Sequence, residues 1–287
     1  MNIIDDLKLQ YKIGGIVIRL IFWNVVCFLV SLLFFYQFKV GAFDFPTWIA
    51  LSSDPSNFIV KPWTFLTYAF FHDGFWHLLF NMVVLNFSST LFLTFFSPKQ
   101  YLGLYVLSAV FSGIAFVAGY FLLDLNSSIV GASAAIMAVL VATTTYHPLM
   151  NLRLLLIGNV KLWHITFVIL LIDLMQFRLG NTGGHISHLS GALFGFIFIK
   201  LLKNGIDLST IVSRVLDFFT NLFKRSAASP FKKVHKNYSR PVEKSNSRII
   251  TKDKAQQQID EILDKISQSG YDSLTKEEKE FLFKAGK

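Results

Sequence analysis

Gly184-His185-Ile-Ser-His188-Leu-Ser-Gly191-Ala-Leu-Phe-Gly195-Phe-Ile-Phe-Ile-Lys200-Leu-Leu202 reads as one membrane-crossing helix with chemistry near its start. A helix needs about 20 mostly apolar residues to cross a hydrocarbon core of about 30 Å, and this run has that length with only Lys200 near its far end. His188 lies four residues in, roughly 6 Å deep at ~1.5 Å per residue. Gly191 and Gly195 form a G-x-x-x-G pair, which lets a second helix approach closely. Five further apolar runs precede it, near Gly15–Phe35, Gly74–Phe96, Tyr101–Leu123, Ile129–Tyr146 and Leu162–Gln176. The expected fold is therefore an all-α membrane protein, a bundle of six transmembrane helices. The fourth and fifth runs are short and carry Ala and Thr or His164 and Asp173, so neighbours should shield them from lipid.

Composition agrees with that reading. Of 287 residues, 53% are hydrophobic and 31 are Phe, which is too apolar for an ordinary soluble domain. The net charge of +9 invites nucleic acid as a partner, but 17 of the 27 Lys and Arg fall between Lys203 and Lys287. Basic residues beside a membrane span mark the cytoplasmic face and attraction to anionic lipid, so a lipid bilayer and no nucleic acid is expected. The lone Cys27 excludes an intramolecular disulfide and a cysteine metal cluster. The first apolar run is too long for a signal-peptide core and is read as a retained span.

Lys99, Arg153, Lys161, Lys200 and Lys203 lie at one set of span ends, which places both termini in the cytoplasm and makes the protein multi-pass. The connection from Tyr36 to Trp63, rich in Phe, Trp and Pro, should then lie partly in the outer leaflet. Four regions follow: a membrane domain over 1–203, a juxtamembrane amphipathic helix over 204–225, a flexible basic linker over 226–254 and a small helical tail over 255–287. Within the second, Leu208, Ile211, Val212, Val215, Leu216, Phe219 and Leu222 recur at helical spacing, fitting either the inner membrane face or packing on the bundle. In the last, Ile259, Ile262, Leu263 and Ile266 mark a short helix, Ser269-Gly270 a break, and Thr275 to Glu278 a capping box. So little apolar surface suits docking on the core or on a cytoplasmic partner.

Three stretches carry the candidate chemistry: His72-Asp-Gly-Phe-Trp-His77-Leu-Leu-Phe-Asn81, Gly131-Ala-Ser133-Ala-Ala, and His185-Ile-Ser-His188-Leu-Ser-Gly191. Each lies near the start of an even-numbered span, and all those spans run from outside to inside, so the three reach one depth. A serine and a neutral histidine at one level make a nucleophile–base pair when their helices touch. Gly131, Ala132, Ala134, Ala135 and Ala138 on one side, and Gly191 and Gly195 on the other, permit that approach. His77 and Asn81 stand at i, i+4 on one face and can aim two donors, with the Ser133 backbone N–H, at an oxyanion. Each element alone is ordinarily a packing feature; their coincidence at one depth points to catalysis.

H-x-x-x-N, G-x-S and S-H-x-x-G-x-x-x-G, in this order on alternate spans, resemble the rhomboid intramembrane proteases over about Lys12 to Lys203. Lys61-Pro-Trp63-Thr and Phe70-Phe71-His72 resemble the family's approach to its second span. The resemblance implies an intramembrane serine endopeptidase with a Ser133–His188 dyad lacking a third acidic member. It further implies an oxyanion hole from His77 and Asn81, Gly131 and Gly191 as the small motif positions, and single-span membrane proteins as substrates. This chain has Ala134 where the family often has glycine, and Met137 where an aromatic often packs on the histidine. His185 lacks the glycine spacing that follows His188. His72, His147 and His164 are read as polar loop or interhelical residues, and Asp173 as a buried partner of unassigned role. No metal site and no cofactor are expected; in particular, H-E-x-x-H is absent. A non-catalytic relative that binds membrane segments would have no need of Ser133, His188, His77 and Asn81 together. A transporter would carry more paired charges along a pathway. The compact core favours a bacterial inner membrane.

Overall fold

The computed structural model describes residues 2–154, 158–177, 181–223 and 246–285. The chain divides into two compact units, 1–225 and 226–287. In the first, α1 (Ile3–Ile13) and α2 (Gly15–Phe34) are separated at Gly14, and Gly15 takes φ +69°, a turn for which glycine is suited. Short pieces follow: β1 (Tyr36–Gln37), β2 (Ala42–Phe43), β3 (Leu51–Ser52), α3 (Pro55–Phe58) and α4 (Thr64–Thr67). Then come α5 (Phe75–Leu93), α6 (Pro98–Leu122), β4 (Ser128–Ile129), α7 (Ser133–Tyr146), β5 (Asn151–Leu154), β6 (Gly158–Lys161), α8 (Leu162–Gln176), α9 (Thr182–Lys203) and α10 (Ser209–Phe223).

The helices α2, α5, α6 and α9 are long and apolar enough to cross a membrane, while α7 and α8 are shorter apolar helices. All six fall on the six runs read from the sequence, within a few residues at each end. Several polar side chains inside them bond to the backbone one turn back: Asn24 Nδ2 donates to the Leu20 carbonyl, Ser31 to Cys27 and Thr143 to Val139. The start of α6 is fixed by Pro98 at its first turn and by reciprocal bonds between Ser97 and Gln100.

The central helix is α7, on which nearly every residue from Ala134 to Thr143 is buried. Its broadest partner is α9, and the reason is steric. A Cβ placed on Gly191 would stand 2.2 Å from the Ala134 carbonyl oxygen, and one on Gly195 would stand 2.2 Å from that of Ala138. The G-x-x-x-G pair thus receives the backbone of α7 itself. Antiparallel pairing of β3 with β4 (Leu51 with Ile129) ties the aromatic connection to the segment leading into α7. Along that connection Phe43 stacks on Phe45 with ring centroids 5.4 Å apart, while Trp48 and Trp63 are half exposed.

The expected juxtamembrane helix is α10, within 204–225. The juxtamembrane helix belongs to the first compact unit: Ser209 packs on Gly103 of α6, and Gln100 donates to Asp207 at 3.2 Å. Beyond that docked start, Val215, Phe218, Phe219 and Leu222 are exposed, so packing on the bundle and a free apolar face occupy different ends of one helix. In the second unit, α11 (Asn246–Ser269) begins inside the stretch expected to be linker. Lys, Gln and Ala are good helix formers, which is why residues 252–258 propagate the helix backward from Ile259. The remainder of the expected linker, 226–245, lies outside the described residues.

That unit turns at Gly270 (φ +78°), where α11 ends, and continues into α12 (Lys276–Ala285). Thr275 and Glu278 form the capping box, since the Thr275 N–H donates to Glu278 at 2.8 Å and the Glu278 N–H to the Thr275 hydroxyl at 3.3 Å. Ile262 and Leu274 are buried within this unit, and Lys265 reaches Glu278 at 2.9 Å.

Candidate active site

Ser133 is the first residue of α7, so its backbone N–H and those of Ala134 and Ala135 lack intrahelical acceptors and face outward at the positive end of the helix. The turn that delivers it depends on Gly131, whose φ of +138° strongly favours glycine and whose missing Cβ would lie 3.0 Å from His77 Nε2. The Gly131 N–H donates to the Tyr68 carbonyl at 2.9 Å, anchoring the turn to the segment before α5.

His188 projects from α9 and its Nε2 lies 2.6 Å from Ser133 Oγ. At the opposite ring edge, its Nδ1 lies 2.6 Å from Asp173 Oδ1 of α8. The same carboxylate oxygen also takes a bond from His185 Nδ1 at 2.8 Å. No acidic neighbour was expected beside His188, yet Asp173 stands there, because its face of α8 turns toward α9. Its sequence signal was present, since a single aspartate within an otherwise apolar helix must find a partner.

His77 and Asn81 lie on one face of α5, as their spacing requires, and both border a cavity of about 400 Å³ together with Ser133, His188, Met137 and Asp173. Asn81 Nδ2 donates to the His77 carbonyl at 2.9 Å, leaving its second amide hydrogen. His77 Nδ1 bonds the Asp73 carboxylate one turn back, so its Nε2 is the nitrogen directed at Gly131 and Ser133. Asp73, which sequence reasoning passed over, was legible as i, i+4 to His77. That hydrogen bond holds the Asp73 carboxyl below its ordinary range. His72 is fully buried beside His77, with ring centroids 5.0 Å apart, and neither of its nitrogens has a hydrogen-bond partner. Burial pushes its pKa down to about 3, so it is held neutral.

A larger cavity of about 880 Å³ opens beside the same groups and is bordered by Phe43, Phe45, Ser128 to Gly131, Asn181 and Gly184. At its rim Asn181, at φ +51°, caps α9 by accepting from the Gly184 N–H at 3.1 Å. Asp173, His185 and His188 bring three ligand-type atoms within 4.8 Å, a set the sequence did not reveal. Nitrogen-to-oxygen separations of 2.6 and 2.8 Å are those of hydrogen bonds. Two ligands on one zinc ion, at ~2.0–2.1 Å bonds and tetrahedral angles, would sit about 3.3 Å apart.

The structure thus sets a serine hydroxyl against a histidine beside two cavities among apolar helices. Compared with known families, residues 60–204 match the Rhomboid domain model. The chain belongs to the rhomboid family, whose members are generally intramembrane serine proteases, and it is an integral multi-pass membrane protein. Residues 249–284 match a second model, that of a family of unknown function, DUF6576. No curated protein matches the chain.

Proposed function

We propose that this protein is an intramembrane serine endopeptidase that cleaves single-span membrane proteins, with Ser133 as nucleophile and His188 as general base. The observation that carries the reading is the 2.6 Å contact between Ser133 Oγ and His188 Nε2. As Oγ attacks the scissile carbonyl carbon, its proton passes to Nε2 and the carbonyl oxygen takes the negative charge. The Ser133 N–H, His77 Nε2 and the free amide hydrogen of Asn81 border that oxygen's position and stabilise it by donation, Nε2 when the ring carries both protons. Collapse of the intermediate breaks the C–N bond, and the departing nitrogen takes the proton from Nε2. Water from the larger cavity then attacks the acyl-enzyme, giving its proton to His188, and Ser133 is released with its hydroxyl restored.

Six spans with both termini in the cytoplasm, as in a bacterial inner membrane, suit this chemistry. The supporting features are four long apolar helices, two shorter ones and the basic residues at one set of helix ends. The test is incubation of the purified protein in lipid vesicles with a panel of single-span reporters. Ser133→Ala and His188→Ala should each abolish cleavage while the fold is retained. Cleavage by either variant at the wild-type rate would assign the activity to another group.

A further inference from the structure

We propose that Asp173 is a positioning residue for the Ser133–His188 pair, so that α8 supplies the acidic member of a three-residue relay. The inference rests on the reading of Ser133 and His188 as nucleophile and base.

Three observations lead to it. Asp173 is buried in an otherwise apolar helix, where an unpaired carboxylate is costly, and its Oδ1 takes bonds from two imidazoles. A carboxylate only accepts, so the hydrogen between Asp173 and His188 sits on Nδ1. That leaves the lone pair of His188 on Nε2, directed at the Ser133 hydroxyl 2.6 Å away, which is the tautomer that can accept the serine proton. Without the acid, the ring is free to place its hydrogen on Nε2, where it meets the hydroxyl as a donor and cannot act as base. His185, bonded to the same oxygen at 2.8 Å, gives the carboxylate a second anchor on α9. The relay moves no extra proton: the serine proton goes to Nε2 and returns from it, while the Nδ1 hydrogen stays with the ring throughout.

Asp173→Asn and Asp173→Glu should be compared with wild type, Ser133→Ala and His188→Ala in vesicles, using one fluorogenic single-span reporter. Asp173→Asn should lower kcat by about 10²–10⁴-fold with KM within about threefold, the pattern of a wrong tautomer in a bound complex. Asp173→Glu, which restores an acceptor, should recover at least tenfold of that loss. Nitrogen-15 NMR of labelled histidine should show His188 fixed as the Nδ1–H form in wild type and mixed between tautomers in Asp173→Asn. Wild-type kcat in Asp173→Asn, or an unchanged tautomer signal, overturns the role of Asp173 while leaving the serine–histidine reading intact. Full activity of Ser133→Ala or His188→Ala would overturn that underlying reading instead. A loss confined to protein abundance, equal in Asn and Glu variants and with the tautomer unmoved, would also refute positioning.

Discussion

Gly191→Ala should separate the proposed catalytic pair, Ser133 and His188, by wedging apart the two helices that carry it. The added Cβ would stand 2.2 Å from the Ala134 carbonyl oxygen, which is rigid backbone rather than a side chain that can swing away. Nonbonded carbon–oxygen contacts settle at about 3.3–3.6 Å, so α7 and α9 must part by roughly 1.2 Å at that level. Ser133 adjoins Ala134, and His188 lies one turn from Gly191 on the same helix. A comparable opening there would stretch the 2.6 Å contact past about 3.5 Å, beyond hydrogen-bond reach. Misplacement of reacting groups by about 1 Å costs on the order of 10²-fold in rate, and overpacking should lower stability by ~1–3 kcal/mol. Gly195→Ala is the matched control: its Cβ would meet the Ala138 carbonyl at the same 2.2 Å, one turn farther from the site. It should destabilise to a similar degree yet reduce kcat by less than about tenfold, because the wedge acts farther from the pair. Reporter cleavage and thermal midpoints in the same vesicles measure both effects. Wild-type kcat in Gly191→Ala, or equal kcat losses in the two variants, would refute the close-approach reasoning.

Two other substitutions probe the surrounding structure. His72 is held neutral in the fold at a pKa of about 3, against about 6.5 when unfolded. The unfolded chain therefore binds the extra proton first as pH falls from ~6.5 to ~3, and stability is lost through that window, by on the order of 5 kcal/mol at its lower end. His72→Phe should flatten the decline in thermal midpoint between pH 7 and pH 4; parallel profiles for variant and wild type would exclude His72 as its source. Tyr68 donates to the Ala109 carbonyl at 2.8 Å inside the core, so Tyr68→Phe should cost about 1–2 kcal/mol while kcat stays within a few-fold. A large loss of kcat would mean the Tyr68 hydroxyl does more than brace α6.

Hydropathy placed the apolar helices to within a few residues: for α2, α5, α6 and α9 the bilayer sets the length, and for the shorter α7 and α8 polar loop residues mark the ends. The meeting of Ser133 with His188 was likewise legible, since Gly191 and Gly195 announced where two backbones could touch. Asp173 was visible as an anomaly in α8, but its partner depends on how α8 is rotated about its own axis against α9. An almost uniformly apolar helix carries little periodicity from which to read that angle. The partner of His77 escaped for a different reason: Asp73 stands in a loop-like His-Asp-Gly stretch whose polarity reads as solvent-facing. The early start of α11 was obscured because Lys and Ser beside Asn look like linker composition even where good helix formers follow.

The brevity of α7 has a consequence for the space available to water beside Ser133. Its 14 residues rise about 21 Å, some 9 Å short of a ~30 Å hydrocarbon layer. Ser133, the nucleophile proposed above, sits where the missing turns would begin, beside a cavity of about 880 Å³, enough for on the order of 30 water molecules at ~30 Å³ each. For the proposed hydrolysis, leaving helix out makes room for water with no need to line a full-length span with charge.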